Sequence, residues 1–258
     1  MVSEKYTKKM YDLYGKEYQR ARDERKSERL YNELLELPCI IKAVGNIKRK
    51  RLLDIGCGAG IHIKKYLKEG AKVEGIDISN TMIELARKKC PKVEFKIGTI
   101  TKLPYKNSEF DIITASLIIN YVDNLKKAFK EVNRVLKKGG LFYFSDNSII
   151  KSAIESIKNK KFKYKFVGYI ENRKTGKLIV LGDAWKEEIF EDEFVPGMIT
   201  KHYLRTFRTF LNELTKSGFE LIDFIDCKPV PAFKKYDAAA YKIFTKVPMF
   251  SIYVARKK

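Results

Sequence analysis

The sequence predicts an α/β protein, a mostly parallel sheet with helices on both faces. Five short apolar runs between Leu52 and Phe144 alternate with segments of helical period, the pattern that right-handed crossovers impose on a parallel sheet. The first run, Leu52-Leu53-Asp54-Ile55, leads straight into three glycines at alternate positions, Gly56, Gly58 and Gly60. Glycine is needed where a backbone turns with φ > 0, or comes closer to a ligand than a Cβ permits. The second run ends at Asp77, about 20 residues past the glycines, where a ribose would be held.

In 258 residues the chain can bury one full α/β core, or one such core with an insertion. Its 53 Lys and Arg against 32 Asp and Glu give a formal net charge of +21. That surplus suits RNA, an anionic lipid surface or a phosphorylated substrate. It equally suits a surface of charge networks shaped by heat, and the basic residues are too evenly spread to locate a groove. Cys39, Cys57, Cys90 and Cys227 lack any C-x-x-C spacing, and His62 and His202 are the only histidines. Neither a metal site nor a disulfide framework is expected, and a reducing cytoplasm is the expected compartment. No stretch approaches the roughly 20 apolar residues of a membrane span, and the N-terminus has no apolar signal segment, so neither insertion nor export is expected.

In chain order, Val2 to Leu37 reads as helical, with Tyr6, Met10, Tyr11, Tyr14 and Tyr18 forming an aromatic face and Pro38 closing the segment. The glycines after the first strand are spaced differently from the G-x-G-x-x-G of dinucleotide sites, the third coming one residue early. Asp54 would repel a pyrophosphate there but would suit a ligand carrying positive charge. Ile61, Ile63, Tyr66 and Leu67 make a short helix ending near Gly70. His62, in its first turn, is expected to stay neutral beside the positive end of the helix dipole and to act as packing. Ser79 or Asn80 caps the next helix, and Pro91 stops it. The strand Val93 to Ile97 ends at Gly98-Thr99, and Ile112 to Ala115 reads as a strand buried on both faces, followed by Ser116, Asn120 and Tyr121. Asn120 is either a site residue or the cap of the helix starting near Asp123. That helix carries Leu125, Ala128, Phe129, Val132, Val135 and Leu136 on one stripe and is expected to end at Gly139.

The strand Leu141 to Phe144 completes the alternation, with Asp146 just beyond it. Phe162, Tyr164 and Phe166 then alternate with Lys161, Lys163 and Lys165, and a turn through Asn172 to Gly176 leads to Leu178–Leu181, which suggests a hairpin. Its lysines protect an edge from aggregation or face a substrate. Trp185, Phe190, Phe194 and Met198 could line an apolar pocket. A helix through Leu204, Phe207, Leu211 and Leu214 ends at Gly218, and strands follow at Phe219 to Ile225 and Phe250 to Ala255.

The stretch Leu52 to Gly60, together with Asp77, Leu103-Pro104-Tyr105, Ser108-Glu109-Phe110-Asp111 and Tyr203-Leu204-Arg205-Thr206, resembles the class I S-adenosylmethionine-dependent methyltransferases of the type 11 kind. Tyr11, Asp12 and Tyr18 loosely match the opening of such proteins. The resemblance implies a Rossmann-like seven-stranded, mostly parallel sheet with a substrate-cap insertion and an antiparallel last strand. It divides the chain into an N-terminal helical cap over 1–45, a cofactor core over 46–146, a substrate cap over 147–203 and a C-terminal part of the core over 204–258.

The same resemblance implies S-adenosylmethionine as cofactor and assigns the site. Gly56, Cys57, Gly58 and Gly60 would admit the methionine half, with Asp54 facing its ammonium directly or through water. Asp77 and Ile78 would meet the ribose, Thr99 and Ile100 the adenine, and Ser116 the methyl group. Thr99 departs from the family, which usually has an aspartate there; its bond to adenine would be worth about 1 kcal/mol, against about 1.5 to 3 for a charged one. The substrate would meet Tyr11, Tyr18, Tyr121, Trp185 and Tyr203, and the candidate catalytic residues are Asn120, Asp146 and His202. Holding donor and acceptor in line at about 3 Å can supply roughly 7 to 11 kcal/mol. Methyl transfer to a small-molecule acceptor is the expected function. The alternatives are an RNA or tRNA methyltransferase, a noncatalytic protein that binds the cofactor, and a dehydrogenase.

Overall fold

The computed structural model describes residues 4–24, 31–148, 150, 168–171, 174–181, 183 and 185–258. Its strands are β1 (Arg51–Ile55), β2 (Lys72–Asp77), β3 (Glu94–Ile97), β4 (Phe110–Ser116), β5 (Leu136–Asn147), β6 (Gly168–Glu171), β7 (Leu178–Leu181), β8 (Glu188–Glu193), β9 (Ile199–Leu204), β10 (Phe219–Asp226) and β11 (Phe250–Lys257). The helices are α1 (Glu4–Asp23), α2 (Leu37–Val44), α3 (Ile61–Lys68), α4 (Asn80–Lys89), α5 (Leu125–Val135), α6 (Phe207–Lys216) and α7 (Ala238–Phe244), with a π-helical turn at Asn32–Glu36 just before α2.

Seven strands form the main sheet in the order β10-β11-β5-β4-β1-β2-β3. β11 runs antiparallel to both its neighbours, and the other pairs are parallel. This is the Rossmann-like α/β sheet that the alternation of runs predicts. Strand order reverses about β1, which lies between β4 and β2, so the carboxyl ends of these strands open a crevice where ligands bind in such sheets. The remaining described strands pair as two small antiparallel ribbons, β6 with β7 and β8 with β9. The alternating Lys161 to Phe166 segment and Asn172 lie outside the described residues.

Successive residues of a strand face opposite sides of the sheet, so Leu52 and Leu53 enter different cores. On one side Leu53, Ile113, Phe142 and Phe144 pack under the stripe of α5 and under Phe210 and Leu214 of α6. On the other, Leu52, Ile112, Tyr143 and Val254 meet Ile40 of α2, Tyr66 of α3 and Ile83 of α4.

Several boundaries differ from the sequence expectation. Leu204, expected in the helix that ends at Gly218, closes β9 instead, and α6 starts at Phe207 with Thr206 as its cap. Pro38 opens α2 rather than closing the N-terminal segment, because in the first helical turn its missing N–H costs no bond. The helix α5 ends at Val135, not Gly139. Gly139 takes φ +72° inside β5, where pairing with β4 jumps from Leu136 to Leu141. The cap of α5 is Asn124, whose side chain accepts from the Lys127 amide, and not Asn120.

The ring of Phe144 is fully buried and lies parallel to Tyr253, with centroids 4.5 Å apart, and Phe142 and Phe129 pack beside it at 5.1 and 5.6 Å. Phe144→Ala is expected to lower unfolding free energy by about 3 to 5 kcal/mol, measured by denaturant titration; a loss below about 1 kcal/mol would show that the core collapses onto the gap.

Candidate active site

The turn after β1 is built by backbone conformations that side chains resist. Gly56 sits at φ +67°, and a Cβ there would come 2.4 Å from Cγ2 of Ile118. The Gly56 and Cys57 amides donate to the Ile76 carbonyl at 2.7 and 3.1 Å, folding the turn back over the end of β2. Asp77 clamps it from below. One carboxylate oxygen accepts from the Gly58 amide and the other from the Ser79 amide, each at 2.9 Å. Burial raises the Asp77 carboxyl above its ordinary value, against the pull of these amides.

Asp54 lies one step beneath the turn, buried, with Oδ1 accepting from the Thr114 hydroxyl at 2.7 Å. Its Oδ2 has no hydrogen-bond partner among the described residues. Burial pushes its pKa up to about 6, chiefly offset by the nearby His62. A buried carboxylate oxygen with no donor fits a ligand that brings an ammonium group.

Over the turn runs α1. Asp12 accepts from the Ser79 hydroxyl at 2.7 Å, and its carbonyl accepts from the Thr81 hydroxyl at 2.9 Å, so α1 is tied to the N-terminus of α4. Further along, Thr101 donates to Glu4 at 2.6 Å. Beneath this roof is a cleft of about 1060 Å³, counted with its mouth. Its wall includes Gly56, Cys57, Gly58, Asp77 and Ile78 on one side, and Thr99, Ile100 and Ser116 at the ends of the neighbouring strands.

Residues 53–144 match the methyltransferase domain family. A Haemophilus influenzae protein is 29% identical over 208 residues, covering 74% of this chain and 75% of that protein. The demethylmenaquinone methyltransferase of Chlorobaculum parvum is 28% identical over 184 residues, 71% of each. Among solved structures, an S-adenosylmethionine-dependent methyltransferase from Mesorhizobium loti superposes with TM-score 0.68 at 24% identity, over 85% of this chain and 96% of that one. One from Listeria monocytogenes gives 0.67 at 25%, over 89% and 96%.

Residues 53–144 are a methyltransferase domain, in a chain with the fold of the class I S-adenosylmethionine-dependent methyltransferases. Its cofactor is S-adenosylmethionine, and the glycine turn, the donor-poor Asp54 and the crevice at the strand reversal suit that molecule.

In this methyltransferase the cleft also carries three tyrosines. Tyr11 and Tyr121 bring their hydroxyls to 3.3 Å, Tyr11 and Tyr18 meet edge to face at 5.7 Å, and Tyr18 stacks on Phe194 at 5.7 Å. Burial raises the Tyr11 and Tyr121 phenols above the usual range, so both stay neutral donors at physiological pH. Thr99 lines the cleft, but its hydroxyl is already engaged with Thr101 at 2.8 Å, inside a tight turn closed by Thr99 and Lys102.

Seven predicted residues lie off the cleft wall. Asp54 and Gly60 sit behind the turn. Asn120 is buried in the short turn Ile119–Tyr121, and its neighbour Tyr121 faces the cleft instead. His202, on β9, packs behind Tyr121 with ring centroids 5.9 Å apart. Tyr203 donates to Asp123 at 2.6 Å. Trp185 is 85% exposed and lines nothing. Asp146 is turned away by strand alternation: it follows Phe142 and Phe144 on their side of β5, while Ser145 faces the site.

A group that the sequence reading passed over stands at the cleft's inner end. Glu36, fully buried, accepts from the hydroxyls of Ser116 and Ser145, both at 2.7 Å, and its other oxygen meets His62 Nε2 at 3.0 Å. His62 Nε2 also lies 3.0 Å from the Ser116 hydroxyl. Burial opposes charge on both partners, but the pairing overrides it, holding Glu36 below and His62 above their ordinary values. The expectation of a neutral, packing His62 is therefore corrected: a full carboxylate at hydrogen-bond distance outweighs the helix dipole. The signal was present in the sequence, since Glu36 interrupts the apolar run Leu34-Leu35-Glu36-Leu37 directly before a proline.

Asp146 is buried and pushed up to about 7 by burial, with the Asn147 amide and the charge of Arg205 only partly offsetting it. An unfolded aspartate titrates near about 3.9. The folded state therefore keeps a proton that the unfolded chain releases, and stability falls as pH rises between these values. Asp54 has the same sign. Unfolding free energy is expected to drop from about pH 4 to about pH 7, and Asp146→Asn to raise it at the upper end by about 1 to 3 kcal/mol. Lower stability of that variant at high pH would mean that the Asp146 charge is paired.

Proposed function

We propose that this methyltransferase transfers the methyl group to a small molecule held beneath α1, and the observation that carries this reading is the roofed, tyrosine-lined cleft continuous with the glycine turn. When bound, S-adenosylmethionine supplies a methyl group on a sulfonium, already a good leaving group. The chain's own task is to bind, orient and exclude water. Gly56, Cys57, Gly58 and Gly60 would admit the methionine half and Asp54 would meet its ammonium. Asp77 and Ile78 would hold the ribose, and Thr99 and Ile100 would flank the adenine. Ser116 would stand beside the reacting methyl.

Tyr11, Tyr18 and Tyr121 would contact the acceptor, giving apolar ring faces and neutral hydroxyl donors. An N-terminal cap over 1–45 and a substrate cap over 147–203 complete this reading. Trp185 and Tyr203 would reach the acceptor only through a movement of that second cap. Asn120 and His202 would support Tyr121 from behind, and Asp146 would serve as a buried proton holder rather than as the acceptor's base. The relatives' names agree with small acceptors: besides the demethylmenaquinone enzyme, a malonyl-acyl-carrier-protein O-methyltransferase of Hamiltonella defensa is 30% identical over 106 residues, 41% of each chain. No helix among the described residues is long and apolar enough to cross a membrane. The cytoplasm is the proposed compartment, in keeping with four cysteines that carry no disulfide framework.

Calorimetric titration with S-adenosylmethionine and its demethylated product tests the cofactor half of this reading. Asp77→Ala is expected to weaken both by at least about 1.5 kcal/mol; absence of binding to the wild type would overturn it. For the acceptor half, turnover on small aromatic or acyl acceptors should survive added salt, whereas a steep salt-dependent loss of acceptor binding would indicate a nucleic acid instead.

A further inference from the structure

Two basic side chains share the lining of the cleft. His62 and Arg22 both line it, the first from α3 and the second from the last turn of α1. His62 keeps 14% of its side chain exposed there. Its Nε2 is taken by Glu36 and Ser116, and its Nδ1 makes no hydrogen bond to a described residue. The Arg22 guanidinium lies 5.7 Å from the Tyr18 ring centre, and its Nε is buried without a hydrogen-bond partner among the described residues.

The charges around His62 can be followed element by element. Glu36 faces it from the π-helical turn, Asp54 from β1 and Arg22 from α1, while on its own helix only the Tyr66 ring lies near, at 6.4 Å. Glu36 and His62 neutralise each other. Arg22 has no counter-charge at hydrogen-bond distance among the described residues, and an uncompensated cation in a recess favours an anion there. Asp54, one layer below, presents the opposite need, a carboxylate oxygen without a donor. An acid, an uncompensated guanidinium and an imidazole nitrogen free to donate match the two charges of an α-amino acid.

We propose that His62 and Arg22 form a carboxylate-binding subsite for the methionine end of the cofactor, with Glu36 as the positioning residue that holds the His62 ring for it. The proposal rests on the reading of the cleft as the cofactor site. With Nε2 held between Glu36 and the Ser116 hydroxyl, only Nδ1 of His62 is left to meet a ligand, and the pairing with Glu36 raises the imidazole's pKa and so favours the form in which Nδ1 donates. Cofactor capture is then pH-dependent. The subsite is complete while His62 is protonated and fails as pH rises through its raised value.

Two ligands separate the amino-acid end from the rest: S-adenosylhomocysteine, which carries the carboxylate, and 5′-methylthioadenosine, which lacks the amino acid altogether. His62→Gln is expected to weaken S-adenosylhomocysteine at least about tenfold, the loss for a charge-assisted hydrogen bond, while 5′-methylthioadenosine changes by less than about twofold. Retained 5′-methylthioadenosine binding also reports that the variant is folded. Wild-type affinity for S-adenosylhomocysteine should fall as pH rises past the ordinary imidazole value of about 6.5, the fall should vanish in His62→Gln, and Glu36→Gln should move it to lower pH. Equal losses for the two ligands, or none, would overturn the subsite alone. Failure of the wild type to bind either ligand would overturn the cofactor reading and the subsite with it.

Discussion

A single buried carboxylate, that of Glu36, ties the cleft together. Taking such a charge out of water costs several kcal/mol, and the cost is met only where hydrogen bonds surround it. Here the donors come from three separate elements: Ser116 at the end of β4, Ser145 in β5 and His62 in α3. Ser145 in turn accepts from the Leu117 amide at 3.0 Å, which fixes the chain as it leaves β4. Displacing the π-helical turn Asn32–Glu36 would therefore loosen the carboxyl edge of the sheet, the first turn of α3 and the loop over Gly56 at once.

The opposite wall is held by Asp77 and Asp12 in sequence. Asp77 spans the Gly58 and Ser79 amides, Ser79 caps α4, and Ser79 donates to Asp12 on α1. Asp12 is kept ionised despite burial, chiefly by Lys8 and the Ser79 hydroxyl. The roof thus rests on the same short segment that shapes one wall of the crevice.

The sheet was legible in the sequence because its signals are local: apolar runs of strand length, a glycine turn and an acid at a fixed distance. Gly56, Gly58 and Asp77 fall on or against the cleft as the pattern implies. Other features turned on information that a pattern does not carry. β5 is buried on both faces, so its composition does not show whether Ser145 or Asp146 faces the crevice. Pro38 reads as a stop, yet is equally at home in a first helical turn. His202 and Asn120 were near the right place in the chain, but Tyr121 occupies the wall in front of them. Glu36 and His62 stand 26 residues apart, and only the fold brings them to 3.0 Å.

The central claim is that one crevice holds the whole cofactor, with its adenosine between Asp77 and Thr99 and its amino-acid end between Asp54 and the His62–Arg22 pair. A crystal structure of the protein grown with S-adenosylhomocysteine tests it most directly. The account predicts the ribose hydroxyls on Asp77 and the carboxylate on His62 and Arg22. A ligand bound elsewhere, or one lying in the crevice with its carboxylate directed away from both cations, would contradict it.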